Sequence, residues 1–445
     1  MIIANIFILN GLVKKLKIIK KLKENSYILQ IITLMSGTLM AQVISFAFMP
    51  ILTRLYTPSE FGLYSLFFAI SSMIGLVSSL RYEQAIVLPK SNRDAQALVF
   101  LSIVVTLFFS VISSLVIWLF YDYILEYFNG NAYLVWLLAP SILIIGMVQI
   151  FDVYSTREQI YKKIAFVRMT ESITTISTQG VSRYLFLLDG LIVGKILSNL
   201  FSLYLFCYFH FKKQTLGLKY LTKRRLKANI KRYESFPKYF TLSSLLNSFS
   251  QQVPIFLFTL LFSPAIAGFY SLTARVMQVP ILLIASSTRS VFYQKASEMY
   301  ANGENIIPLY LKTTLGLTKL FVVPLVIILF WGQDIFVFVF GLEWIESGVI
   351  AQITIIWFMF VFISPPTSAM YNILNLQKRL LQIQILAVIT RVLAIYLGFY
   401  IFGTYIASIV IFTIVSTIHN LIFIGYIYYR VGLISTDQSK QKELK

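Results

Sequence analysis

Apolar residues fill twelve runs along the chain, each separated from the next by a short polar or charged segment: 28–52, 62–88, 95–120, 134–156, 168–188, 190–211, 239–262, 266–291, 307–332, 349–375, 380–402 and 404–429. A helix rises about 1.5 Å per residue, so a run of about 20 to 28 residues covers a ~30 Å hydrocarbon core with some tilt. The pattern predicts an all-α polytopic membrane protein with 12 transmembrane helices, numbered here spans one to twelve. Span five departs from the rest, because Glu171, Thr174, Thr175, Ser177, Thr178, Gln179 and Ser182 interrupt its apolar face. Polar positions at membrane depth are expected on a cavity wall and not against lipid.

A repeat divides the twelve runs in two. Tyr56-Thr57-Pro58-Ser59-Glu60-Phe61-Gly62-Leu63-Tyr64-Ser65-Leu66 returns as Phe262-Ser263-Pro264-Ala265-Ile266-Ala267-Gly268-Phe269-Tyr270-Ser271-Leu272, with Pro, Gly, Tyr, Ser and Leu all at an offset of 206. Each copy falls between the first two spans of a six-span half, where Pro ends one helix and Gly permits close entry to the next. Both halves contain an even number of spans, so both begin on the same side of the membrane and the repeat is parallel, about an axis along the membrane normal. The expected organisation is a basic N-terminal segment 1–27, a six-helix bundle 28–211, a basic linker 212–238, a second six-helix bundle 239–430 and a tail 431–445. Pro50 and Pro254 lie late in spans one and seven, where a kink would suit opening and closing of a central cavity.

Composition agrees with the pattern: of 445 residues 58% are hydrophobic and only 13% charged, half the charged fraction of an ordinary soluble chain. The net charge of +20 would suit a nucleic-acid binder, but its distribution excludes that reading. All but eight of the 38 Lys and Arg lie before span one, after the even-numbered spans or in the tail, as in Lys14 to Lys23, Lys162, Lys163 and Arg168, and the stretch from Lys212 to Lys238. The alternate connections carry acids instead: Asp122 and Glu126, Asp189, then Asp334, Glu343 and Glu346. By the positive-inside rule the basic segments and both termini are cytoplasmic. The first 27 residues place their basic cluster after an apolar stretch, the reverse of a secretory signal, and fit either a surface helix presenting Leu16, Ile19 and Leu22 to lipid or a disordered leader. Cys207, His210 and His419 are too few for a disulfide frame or a Cys/His metal site, and no cofactor is expected.

The eight remaining basic residues are Arg54, Arg81, Arg183, Lys195, Arg275, Arg289, Lys319 and Arg391. Arg275 lies about 15 Å from the outer end of span eight at 1.5 Å per residue, and similar counting puts Lys319 and Arg391 near the midplane. Arg275 and Arg289, 14 residues apart, are expected on one helix face. The acids at depth are Glu83, Glu171 and Asp152, too few to neutralise most of these cations, and Arg81 and Glu83, two residues apart, do not face each other along a helix. Fixed positive charge around a cavity attracts an anion, and the planar fork of Arg suits phosphate. Asn247, Gln251, Gln252, Tyr270, Gln278, Tyr371, Asn372 and Asn375 offer hydrogen bonds and stacking faces for sugar, or serve as packing contacts between helices.

The run Thr53-Arg54-Leu55-Tyr56-Thr57-Pro58-Ser59-Glu60-Phe61-Gly62-Leu63-Tyr64, followed by Leu80-Arg81-Tyr82-Glu83 and Leu88-Pro89, resembles the oligosaccharide flippases of O-antigen and capsule pathways. These belong to the multidrug/oligosaccharidyl-lipid/polysaccharide exporter (MOP) superfamily, whose two pseudo-symmetric six-helix bundles form a V around a central cavity. The resemblance implies a non-enzymatic inner-membrane protein that moves an undecaprenyl-diphosphate-linked oligosaccharide from the cytoplasmic to the periplasmic leaflet by alternating access. It implies a polysaccharide polymerase and a chain-length regulator as partners, and either coupling to H+ or Na+ through Glu83, Glu171 or Asp152 or a role for these acids in tuning the arginines. A polymerase or ligase would carry a large outer loop, and a multidrug-cation antiporter would carry acids in its cavity. Neither matches the short outer segments and basic spans seen here.

Overall fold

The computed structural model describes residues 26–186, 189–212 and 222–443. The basic leader lies outside them up to residue 25, as does part of the linker, 213–221. Among the described residues all regular structure is helical, and a helix or helix pair follows each of the twelve predicted spans. Nine of these segments are long and apolar enough to cross a membrane. The other three are Tyr161–Phe186 (span five), Thr241–Leu261 (span seven) and the interrupted span eight, Pro264–Pro280 and Ser286–Ala301. All three contribute polar side chains to one cavity, which is why their sequences are less apolar than a lipid-facing helix.

The repeated turn is a helix start in both halves. Thr57 caps Pro58–Val77 by accepting from the Glu60 amide while the Glu60 carboxylate accepts from the Thr57 amide, a capping box with Pro58 in the first turn. Ser263 caps Pro264–Pro280 by accepting from the Ile266 amide, with Pro264 in the first turn, but Ile266 in place of Glu60 leaves only half of the box. These two helices then cross at their glycines. A Cβ on Gly62 would lie 1.7 Å from the Pro264 carbonyl oxygen, and one on Gly268 would lie 1.9 Å from the Pro58 carbonyl oxygen. One turn further along, Ser65 donates to Ser271 at 2.8 Å, across the repeat offset of 206 residues. Trp344, fully buried, stands edge-on to Phe61 of one half and Phe269 of the other, and its indole N–H donates to the Thr53 carbonyl at 2.9 Å. The halves are therefore sealed at the end that carries the repeated turns.

At the opposite, basic end the linker helix Lys223–Arg232 packs on the first half. Thr222 caps it, Leu226 sits on the cluster of Tyr82, Leu98, Tyr154, Tyr233 and Phe236, and Arg225 pairs with Asp94 at 3.6 Å.

Three local expectations change. Span two leaves its helix after Val77, Leu80 and Arg81 adopt positive φ (50° and 59°), and a short 3-10 helix, Tyr82–Val87, follows. This reversal brings the Arg81 guanidinium to 3.2 Å from the Glu83 carboxylate, so the two do pair; spacing rules for a continuous helix do not hold there. Span eight contains a π-helical turn, Ile281–Ala285, directly after Pro280. A π turn holds more residues than an α turn, so Arg275 and Arg289 lose the common face that regular winding would give them. Span one breaks at Phe48, between Ser26–Ala47 and Met49–Leu55, whereas span seven runs through Pro254 as one helix.

Candidate functional site

Below the seal the two halves enclose a cavity of about 980 Å³. Spans one, two, five and six form one wall, and spans seven, eight, ten, eleven and twelve form the other. Tyr64, Ser65, Tyr270 and Ser271 of the repeated motif line it, so the crossing of spans two and eight is its roof.

Four basic side chains line the cavity: Arg168, Lys195, Arg275 and Arg391. On the first-half wall both cations have carboxylate partners. Lys195 holds Glu171 at 2.7 Å, and Arg168 holds Asp152 at 3.1 Å and also donates to the Thr38 hydroxyl at 2.7 Å. On the second-half wall, among the described residues, neither guanidinium has a carboxylate partner. Arg275 lies 5.0 Å from the centre of the Tyr64 ring; Arg391 lies 5.8 Å from that of Trp357 and donates to Ser416 at 3.1 Å. The cavity thus has a charge-balanced wall and a wall with two uncompensated positive charges. Such uncompensated charges on a cavity wall favour an anion.

The other predicted basic residues lie elsewhere. Arg81 pairs with the fully buried Glu83, whose carboxylate also accepts from Ser79 and from Gln149 at 3.2 Å. Arg183 pairs with Glu60 at 2.7 Å beside Tyr56, and so braces the capping box of the first turn. Arg54 donates weakly to the Phe338 carbonyl at 3.5 Å across the sealed end. Arg289 and Lys319 are exposed and do not line the cavity. Internal neutralisation is thus more extensive than the count of acids at depth implies, since Arg81, Arg183 and Lys195 all have carboxylates. Glu60, read from sequence only as part of a turn, is one of those partners.

Sequence reasoning missed Arg168 as a cavity residue, because it was counted with the cytoplasmic cluster after span four. The helix Tyr161–Phe186 begins seven residues before the predicted span, which draws Arg168 into the wall. Of the expected sugar-contacting residues, Gln251, Gln252, Tyr270 and Gln278 line the cavity. Asn247, Asn372 and Asn375 do not, and Tyr371 is buried in a stack with Phe423 at 4.8 Å. Gln42, Ser45, Ser172 and Thr175 add hydrogen-bonding groups to the first-half wall. Among the described residues no three His, Cys, Asp or Glu side chains gather as metal ligands would.

A family model for polysaccharide biosynthesis proteins matches residues 51–349, about two-thirds of the chain. No curated protein matches. Among solved structures, the lipid II flippase MurJ in an inward closed conformation is similar in fold, with a TM-score of 0.67 at 14% identity over 92% of this chain and 90% of that one. An inward-facing multidrug resistance MATE family transporter of the MOP superfamily gives 0.65 at 15% identity over 91% and 95%. A MOP superfamily transporter from Pyrococcus furiosus, described as having a binding pocket of reverse polarity, gives 0.60 at 15% identity over 91% and 96%. Over more than nine-tenths of its length the chain therefore shares the fold of these MOP-superfamily transporters, and it belongs to the polysaccharide biosynthesis protein family.

Proposed function

We propose that this protein is a flippase for undecaprenyl-diphosphate-linked oligosaccharide, carrying repeat units from the cytoplasmic to the periplasmic leaflet of the inner membrane for O-antigen or capsule synthesis. The observation that carries the reading is the pair of guanidinium groups, Arg275 and Arg391, that face the cavity with no carboxylate partner among the described residues. A diphosphate supplies the missing negative charge and accepts several hydrogen bonds from two forks. The glycan then lies among the hydroxyl and amide groups of the first-half wall, and the prenyl tail stays in lipid. A hydrophobic cation would find Arg275 and Arg391 repulsive and Glu171 already held by Lys195.

The family match to polysaccharide biosynthesis proteins supports this class of cargo, as does the fold shared with a lipid II flippase. Positive charge at the basic end, opposite the sealed turns, supports placing that end, and both termini, in the cytoplasm. Rocking of the two halves against each other, with the roof parting as the basic end closes, would expose the cavity alternately to each side, with no covalent step. A proton or sodium ion coupled through Glu171 or Asp152 would have to compete with Lys195 or Arg168 for the same carboxylates.

Deletion of the gene is expected to leave lipid-linked oligosaccharide on the cytoplasmic leaflet and to abolish the surface polysaccharide. Complementation with wild type should restore export, and complementation with Arg275→Ala/Arg391→Ala should not. If no lipid-linked sugar accumulates in the deletion strain, the reading is wrong.

A further inference from the structure

Gly268, Ser271 and Arg275 are spaced i, i+3, i+7 and so occupy one face of span eight. That face is the one turned toward span two: Gly268 meets the Pro58 carbonyl, Ser271 accepts from Ser65, and the Arg275 guanidinium rests over Tyr64. Where the seam borders the cavity, it therefore lays a cation of one half on a ring of the other. The two copies of the repeat differ at this level. The residue offset from Arg275 by 206 is Ala69, fully buried, so the charge is present on one side only.

Arg275 consequently belongs to two structures at once. It is one of the two cavity cations without a carboxylate partner among the described residues, and it makes a contact across the seam where the seam borders the cavity. A cation–π contact is a weaker claim on a guanidinium than a charge-assisted bond to phosphate oxygens. We infer that Arg275 couples cargo to the seam: a phosphate entering the cavity takes the guanidinium from the Tyr64 ring, removes a contact between spans two and eight at the cavity face, and favours their separation at the turn end. The inference rests on the phosphate reading above, and it makes Tyr64 a coupling residue that need not touch the cargo.

The Ser65–Ser271 contact supplies the reporter. With Cys207 replaced by Ser, a Ser65→Cys/Ser271→Cys pair forms a disulfide only while the seam is closed, since the bond needs Cβ atoms about 4 Å apart. The full-length protein in lipid nanodiscs is oxidised mildly, with and without undecaprenyl diphosphate, and lipid binding is measured on the same samples. The lipid is expected to slow disulfide formation by about fivefold or more, the lower range of a coupling between sites. Arg275→Ala should form the disulfide at one rate with or without lipid; Arg275→Gln substitutes if the alanine variant does not assemble. Tyr64→Leu should bind the lipid yet form the disulfide slowly even without it. Lipid binding to the Arg275 protein with no change in rate overturns the coupling and leaves the flippase reading standing, as does an Arg275→Ala variant that responds like its parent. Absence of lipid binding overturns the phosphate reading and the coupling together.

Discussion

Replacement of Gly62 by Ala tests the seam directly. The added methyl carbon would sit 1.7 Å from the Pro264 carbonyl oxygen and 2.4 Å from its carbon, against an ordinary contact of 3.4 Å or more. Both offending atoms are backbone, so no side chain can swing away, and the helices must part by about 1.7 Å. The Ser65–Ser271 bond, at 2.8 Å, does not survive that displacement. Overpacking of this kind costs about 1–3 kcal/mol and loss of a buried hydrogen bond about 1 kcal/mol. Even about 2 kcal/mol against the sealed arrangement shifts its ratio to the parted one by roughly thirtyfold. The assay is the rate at which a membrane-impermeant maleimide labels a cysteine at Thr53, which is 3% exposed at the seal, in a Cys207→Ser background. Gly62→Ala should raise that rate and depress export, and Gly268→Ala should do the same. Gly425→Ala, where the new methyl meets nothing within 4 Å, should change neither. Parental labelling and parental export in the Gly62→Ala protein would refute the account of the crossing.

Other expectations concern the charges. Arg275→Ala and Arg391→Ala should each lower export about tenfold or more, as loss of a charge-assisted contact implies, whereas Arg289→Ala and Lys319→Ala should stay within about twofold of wild type in a complementation assay. Lys195→Ala leaves Glu171 without its partner facing an anionic cargo, so the Lys195→Ala/Glu171→Ala double variant should export better than the single one. Asp189, at the turn between spans five and six, has its carboxyl pushed up to about 6, first by burial and then by the charge of Glu60. A raised carboxylate pKa means that the folded protein binds the extra proton, so this site favours the fold at low pH and loses that contribution as pH climbs from about 4 through 6. Asp189→Asn should therefore raise thermal stability at pH 8 and leave it nearly unchanged at pH 4, as followed by unfolding in detergent.

The ladder of spans was legible because a hydrocarbon solvent forces apolar runs of one length; span five stood out by its polarity, while spans seven and eight, which also put polar side chains on the cavity, were read as ordinary spans. The repeat was legible as well, but only as a turn; that its two copies pack against each other depends on which helix faces turn inward, which spacing alone leaves open. What escaped the sequence were departures from ideal helix geometry. Arg81 reaches Glu83 through two residues at positive φ, Arg289 is rotated away from Arg275 by a π turn, and Arg168 enters the wall because its helix starts early. Pro280, inside span eight, was the visible sign of the second departure.

Because Gly62 and Ser65 meet Gly268 and Ser271, equivalent residues touch equivalent residues, which is the self-complementary geometry of an isologous dimer interface. Were the halves separate identical subunits, a substitution at position 69 would appear on both faces, and two arginines would oppose each other at the axis. Joined in one polypeptide, each face mutates alone. The fusion is what permits a single guanidinium at 275 where the other half carries an alanine, and with it a cavity whose two sides are chemically unlike.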